Sequence, residues 1–241
     1  MYKQKTIKIL KDKCIYYSKK YKNVKKPRKS KHKLTDPSQD QIVYNLQNKD
    51  YIFIKCASHK KILKIVKKYF NESAYGKKEE IIFHQLTGRN PKSFKDQQTL
   101  HIDSRLPGLQ NPIKVVVTIM LDDFTKKNGA TRLIPGSHLT NRFPKILDEK
   151  SKKIKYIEGK LGDVIIMDAG LWHAGSANKS KNSRWSILVT YARWYFKQAF
   201  DMPNNLPNKI FKKCKKPEKK LLGFYSIPPK NEFDRINALK K

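Results

Sequence analysis

The stretch "GDVIIMDAGLWHAGS", residues 162–176, runs from a turn through an apolar core of Val, Ile and Met and ends on a histidine set among small residues. Its residue types predict a strand bounded by glycine turns. Working outward, runs of the same kind recur as "EEIIFHQL" at 79–86, "KVVVTIMLDD" at 114–123, "TRLIPGSH" at 131–138 and "RWSILVTYARWYF" at 184–196. Strand following strand, punctuated by Gly, Asn and Pro and without long helices between, predicts an antiparallel sandwich or barrel.

The flanks read differently. "DPSQDQIVYNLQNKDYIFIKCAS", starting at residue 36, predicts a capped short helix leading into a strand at 51–56. "SHKKILKIVKKYF" sets Ile62, Leu63, Ile65, Val66 and Tyr69 at helical spacing behind a Ser58 cap, with lysines on the opposite face. A chain of 241 residues suits one sizeable core, so the expected organisation is a basic Lys-rich tail over 1–35, one domain over 36–200, and a packed C-terminal extension over 201–241.

Charge points at first to a polyanionic partner: 54 Lys+Arg against 20 Asp+Glu give a formal +34. The split argues otherwise, because 46 of these cations are Lys and only 8 are Arg, whereas phosphate and base recognition favour the forked guanidinium. Lysine spread over the whole chain reads as compositional bias, and the run "KKPRKSKHK" at 25–33 as a solvated tail. A nucleic-acid-associated or noncatalytic metal-binding protein is therefore the alternative reading. Cys14, Cys56 and Cys214 form no CxxC pair, which predicts a reducing, cytoplasmic setting. No apolar run approaches the roughly 18 residues of a membrane span.

The chemistry gathers around "TLHIDSRLPG", residues 99–108. His101 and Asp103, two apart on an extended segment, project to the same face and can converge on one ion. His173, at the end of the opening stretch, is the natural third ligand. Two His and one carboxylate suit non-haem Fe(II), with three positions left open, although zinc takes the same set. Arg184, 11 residues beyond His173, and Ser186 share a strand face and offer a guanidinium and a hydroxyl to one end of a dicarboxylate. A hydrolytic zinc site has no use for that pair.

The runs "LHID", "VVVTIMLDDFTKKNGATRLIPGSHL" and "GDVIIMDAGLWHAGSANKSKNSRWS", in this order and spacing, resemble the phytanoyl-CoA dioxygenase family of Fe(II)/2-oxoglutarate-dependent oxygenases over about residues 40–200. The resemblance implies a mainly β fold with flanking helices, a double-stranded β-helix of the jelly-roll or cupin-like kind. It implies His101, Asp103 and His173 as iron ligands, Arg184 and Ser186 as the hold on the far carboxylate of 2-oxoglutarate, and Thr118 as another cosubstrate contact. It also implies consumption of O2, decarboxylation of 2-oxoglutarate to succinate, and hydroxylation of a small-molecule or carrier-linked substrate. Related halogenases lose the carboxylate ligand, so the Asp103 retained here favours hydroxylation.

The remaining polar and aromatic residues have plainer readings. His138 and His84 read as turn and sheet histidines. Asp122, Asp123 and Asp163 read as turn residues, Asn128-Gly129 as a hairpin, Trp172, Trp185 and Trp194 as wall or core, and Arg105 as a solvated loop residue.

Overall fold

In a computed structural model, which describes residues 2–21, 40–71, 81–91, 97–108 and 111–234, the first half of the chain supplies mostly helices and the second mostly strands. In order these are α1 (Gln4–Lys20), β1 (Asp40–Val43), α2 (Tyr51–Ala57), α3 (Lys60–Asn71), β2 (Ile81–Pro91), β3 (Lys114–Met120) and β4 (Thr131–Leu133). There follow β5 (Lys155–Ile157), β6 (Val164–Asp168), β7 (His173–Gly175), β8 (Ser186–Arg193) and three short helices, α4 (Met202–Asn205), α5 (Asn208–Phe211) and α6 (Lys216–Leu221). Five strands pair in the spatial order β1-β2-β8-β3-β6, and three more as β5-β4-β7, with every pairing antiparallel. From β3 onward the chain crosses between the sheets at every step except β4 to β5, which makes the fold a double-stranded β-helix with flanking helices, as the resemblance implied.

The larger sheet has two different faces, because side chains alternate along a strand. Val115, Val117 and Ile119 of β3 and Ile187, Val189 and Tyr191 of β8 point into the main core with Phe53 and Ile54 of α2 and Ile62, Val66 and Phe70 of α3. Lys114, Val116 and Thr118, with Ser186, Leu188 and Thr190, face a cavity lined also by residues of the smaller sheet. Both faces of β3 are thus covered, so all seven of its residues are buried, and the strand reads as a near-continuous apolar run.

Four sequence expectations are corrected here. Residues 51–56 are helical: the Asp50 carboxylate accepts a hydrogen bond from the Ile52 amide and caps α2, and packing against the sheet outweighs the β-propensity of the Tyr-Ile-Phe-Ile run. Ser58 ends α2 and does not start α3; it is His59 whose carbonyl receives the Leu63 amide and whose Nδ1 accepts from the Lys61 amide at 3.3 Å. Asn128-Gly129 does not close a hairpin, since β3 and β4 lie in different sheets. It turns the crossover tightly: Gly129 has φ +93°, and a Cβ there would meet the Ser176 carbonyl oxygen at 2.7 Å.

The amino terminus is the fourth. Residues 4–20 are helix α1, with Ile7, Leu10 and Cys14 buried in the main core, where the sequence reading placed a solvated tail. The apolar positions recur at helical spacing among lysines, and the lysines stay at the surface or pair with acids, Lys11 with Asp122 and Lys13 with Asp50. The run at 25–33 lies outside the described residues. All three cysteines are buried free thiols. Among the described residues no helix is long and apolar enough to cross a membrane.

Candidate active site

Backbone pairing builds the site before any side chain does. His101 and His173 form an isolated antiparallel bridge, each amide donating to the other's carbonyl at 3.0 Å, so an extended segment joins the smaller sheet beside β7. The Asp103 and Ser104 amides both donate to the Ala169 carbonyl, at 2.7 and 3.0 Å, and lock the turn carrying the carboxylate. The ring centroids of His101 and His173 lie 4.5 Å apart, and Asp103 oxygens stand 3.8 Å from Nε2 of His101 and 3.6 Å from Nε2 of His173. One ligand atom from each of the three residues falls within 4.8 Å of the others.

The hydrogen bonds fix what those atoms can do. Nδ1 of His101 lies 2.9 Å from the Thr99 carbonyl oxygen, and Nδ1 of His173 lies 2.8 Å from that of Leu171. A carbonyl only accepts, so each Nδ1 carries the proton, and each Nε2 turns a bare lone pair toward Asp103. Two lone pairs and a carboxylate converging with no proton among them repel one another unless a cation sits between. That donor set fits a divalent metal. Burial, followed by the neighbouring His173, pushes His101 down to about 4. Burial alone would raise Asp103, but His173, His101, Arg89 and Lys114 outweigh it and hold its carboxyl below the usual carboxylate range.

A cavity of about 850 Å³ opens beside these three residues and is lined as well by Thr118, Arg184 and Ser186. The structure therefore brings together every site residue the sequence singled out. Arg184 is 7% exposed, and its guanidinium carbon stands 4.4 Å over the Phe124 ring. Its backbone is held on three sides: the Arg184 amide donates to Asn90 Oδ1 at 2.8 Å, while Asp122 accepts from the Ser183 hydroxyl at 2.8 Å and the Trp185 amide at 2.9 Å. Asp122 also pairs with Lys11 of α1. Read from sequence as a turn residue, it in fact joins the end of β3, the approach to β8 and the amino-terminal helix.

Sequence reasoning missed other supports as well. Arg132, 2% exposed, donates to the Gln98 carbonyl at 2.7 Å and pairs with Glu149 at 2.7 Å, and Glu149 accepts the Leu100 amide. Gln98 accepts the Gly175 amide at 2.9 Å and so ties the segment before His101 to β7. None of these partners is near the other in sequence, so no local pattern announces them. His84 sits where the β2–β8 register slips, lines the cavity, and is pushed down to about 4 by burial and by Lys114. Trp172 and Trp185 are buried, Trp194 is half exposed, and Arg105 is exposed yet lines the cavity.

Solved structures share this fold. HygX from Streptomyces hygroscopicus, in a structure with nickel and 2-oxoglutarate bound, superposes with a TM-score of 0.63 at 14% identity, covering 82% of this chain and 81% of that one. AviO1 from Streptomyces viridochromogenes gives 0.57 at 18% identity over 78% and 84%. These likenesses concern the fold. In sequence, the uncharacterized protein Mb1539 of Mycobacterium bovis is 30% identical over 112 residues, 46% of this chain and 41% of its own length. "Dioxygenase andF" of Emericella variicolor is 24% identical over 133 residues, 55% and 46%. The chain thus spans less than half the length of these two curated relatives. The Phytanoyl-CoA dioxygenase (PhyH) family matches over residues 12–186, more than half of the sequence, and the chain belongs to that family.

Proposed function

We propose that this protein is an Fe(II)- and 2-oxoglutarate-dependent dioxygenase that hydroxylates a small-molecule or carrier-linked substrate. The observation carrying the reading is the convergence of two bare Nε2 lone pairs and one carboxylate on a cavity that Arg184 and Ser186 also face. His101, Asp103 and His173 would hold the iron, and three ligands on one side leave room for cosubstrate and O2 on the other. When bound, iron with 2-oxoglutarate and O2 supplies the oxidative chemistry, releasing succinate and CO2 and transferring oxygen to a C–H bond.

The chain's own part is positioning. Arg184, buried against Phe124 and with its backbone fixed by Asn90 and by Asp122 through Trp185, would hold the far carboxylate of the cosubstrate, with the Ser186 hydroxyl lining the same cavity. Thr118 faces the same cavity from β3 and supplies a further hydroxyl. The Thr99 and Leu171 carbonyls keep both imidazoles in the ligating tautomer. HygX, which has a similar fold, has 2-oxoglutarate bound in one structure and 2-oxoglutarate with hygromycin B in another, and this supports the reading.

Anaerobic addition of Fe(II) and 2-oxoglutarate tests the reading. A weak visible charge-transfer band should appear in wild type and vanish in His101→Ala, and succinate should form once O2 is admitted. A band that never forms, or that survives His101→Ala, overturns it.

A further inference from the structure

Among the described residues, the cavity wall carries four permanent cations, Arg89, Arg105, Lys114 and Arg184, against one carboxylate, Asp103. A divalent metal and a doubly charged 2-oxoglutarate cancel each other, so among the described residues Arg89, Arg105 and Lys114 still outnumber Asp103 when both are bound. Arg184 has an assigned task at the Ser186 end of β8. Lys114 lies at the other end of the wall: β3 pairs Met120 with Ser186 but Lys114 with Ala192. Six residues of strand separate these rows, about 20 Å at some 3.4 Å per residue, farther than one five-carbon diacid reaches.

Lys114 is an unusual place for an ammonium. The residue is 4% exposed, and among the described residues no acceptor lies within hydrogen-bonding distance of Nζ, which stands 5.1 Å over the Phe196 ring. His84, neutral in this setting, lies against the same ring at 5.6 Å, and Thr190 lines the cavity two pairs further along the sheet. Arg105 faces the cavity from a backbone held at φ +67°, a conformation costly for a residue with a Cβ, which is kept where the surroundings impose it. Burial lowers the Lys114 pKa, and Asp103 opposes that shift only in part while Arg105 adds to it. A buried cation whose acidic neighbour forms no ion pair with it is expensive, and an anionic ligand at hydrogen-bonding distance reduces the expense.

We infer that the substrate of the proposed oxygenase carries an anionic group, a carboxylate or a phosphate, which docks on Lys114 with Arg105, His84 and Thr190 around it. The inference rests on the proposed function for the word substrate, while the anion site stands on the cavity's own charges. Protein loaded anaerobically with Fe(II) and saturating 2-oxoglutarate, so that Arg184 is occupied, is titrated by calorimetry with hexanoate, hexanamide and inorganic phosphate.

Hexanoate or phosphate should bind at least tenfold more tightly than the neutral amide, and whichever binds names the source of the charge. The preference should fall below twofold in Lys114→Met and in the polar variant Lys114→Gln, which guards against a folding defect, and should persist in Lys114→Arg. Equal binding of anion and amide, no binding of any probe, or a preference that survives both neutral variants overturns the inference. So does a loss in Lys114→Met confined to 2-oxoglutarate affinity. Failure of the charge-transfer band during loading instead overturns the proposed function, and the same titration of metal-free protein still tests the anion site.

Discussion

Asp122→Ala is the most informative single change, because one carboxylate holds three elements around Arg184. The side chain is 17% exposed and accepts from the Trp185 amide, the Ser183 hydroxyl and Lys11. Trp185 is itself 2% exposed, so its orphaned amide finds no water and costs about 2–3 kcal/mol. The Ser183 hydroxyl regains solvent and costs about 1 kcal/mol, and the half-buried Lys11 pair adds about 1 kcal/mol or less. Denaturant unfolding should therefore show a loss of about 3–4 kcal/mol at unchanged slope. Lys11→Met should show about 1 kcal/mol or less. Under the proposed function, Asp122→Ala should also weaken 2-oxoglutarate binding. A loss below about 1 kcal/mol, or a Lys11→Met that reproduces the whole effect, refutes the clamp.

Three further outcomes follow. Leu10→Ala should cost about 2–4 kcal/mol in unfolding experiments, as for a buried leucine, where a solvated tail would give a change near zero. Arg184→Ala should raise the 2-oxoglutarate requirement in succinate assays by roughly 100-fold or more, and Arg184→Lys should recover only part, since a point charge replaces the paired donors. His84 should titrate at about 4 by NMR. Its unfolded form protonates near 6.5, so the unfolded state binds more protons between those values. Stability of the metal-free protein should then fall as pH drops from 6.5 to 4, by at most about 3 kcal/mol from this group, and His84→Gln should remove that share.

The candidate site was legible from local pattern only in pairs, His101 with Asp103 and Arg184 with Ser186, each two residues apart, and His173 joined them through the order and spacing of the family resemblance. The strand runs were equally legible, since β3 and β8 are buried on both faces and carry the residues such burial demands. Propensity failed at Tyr51–Ala57, where a single Asp50 cap and the helix layer overrode β-branched residues, and at α1, where lysine density masked an apolar stripe.

By itself the sequence determined the sheet-rich fold, because strand runs depend on residue type and short-range period, and it nominated the five residues from His101 to Ser186 as a candidate site. Only the tertiary structure decided how they work together. The clamp of Asp122 across α1, β3 and the approach to β8, the buried Arg132–Glu149 pair and the seat of Lys114 over Phe196 all join residues remote in sequence. Hydrogen bonds and charges act through distance in space, and along the chain those partners carry no common signal.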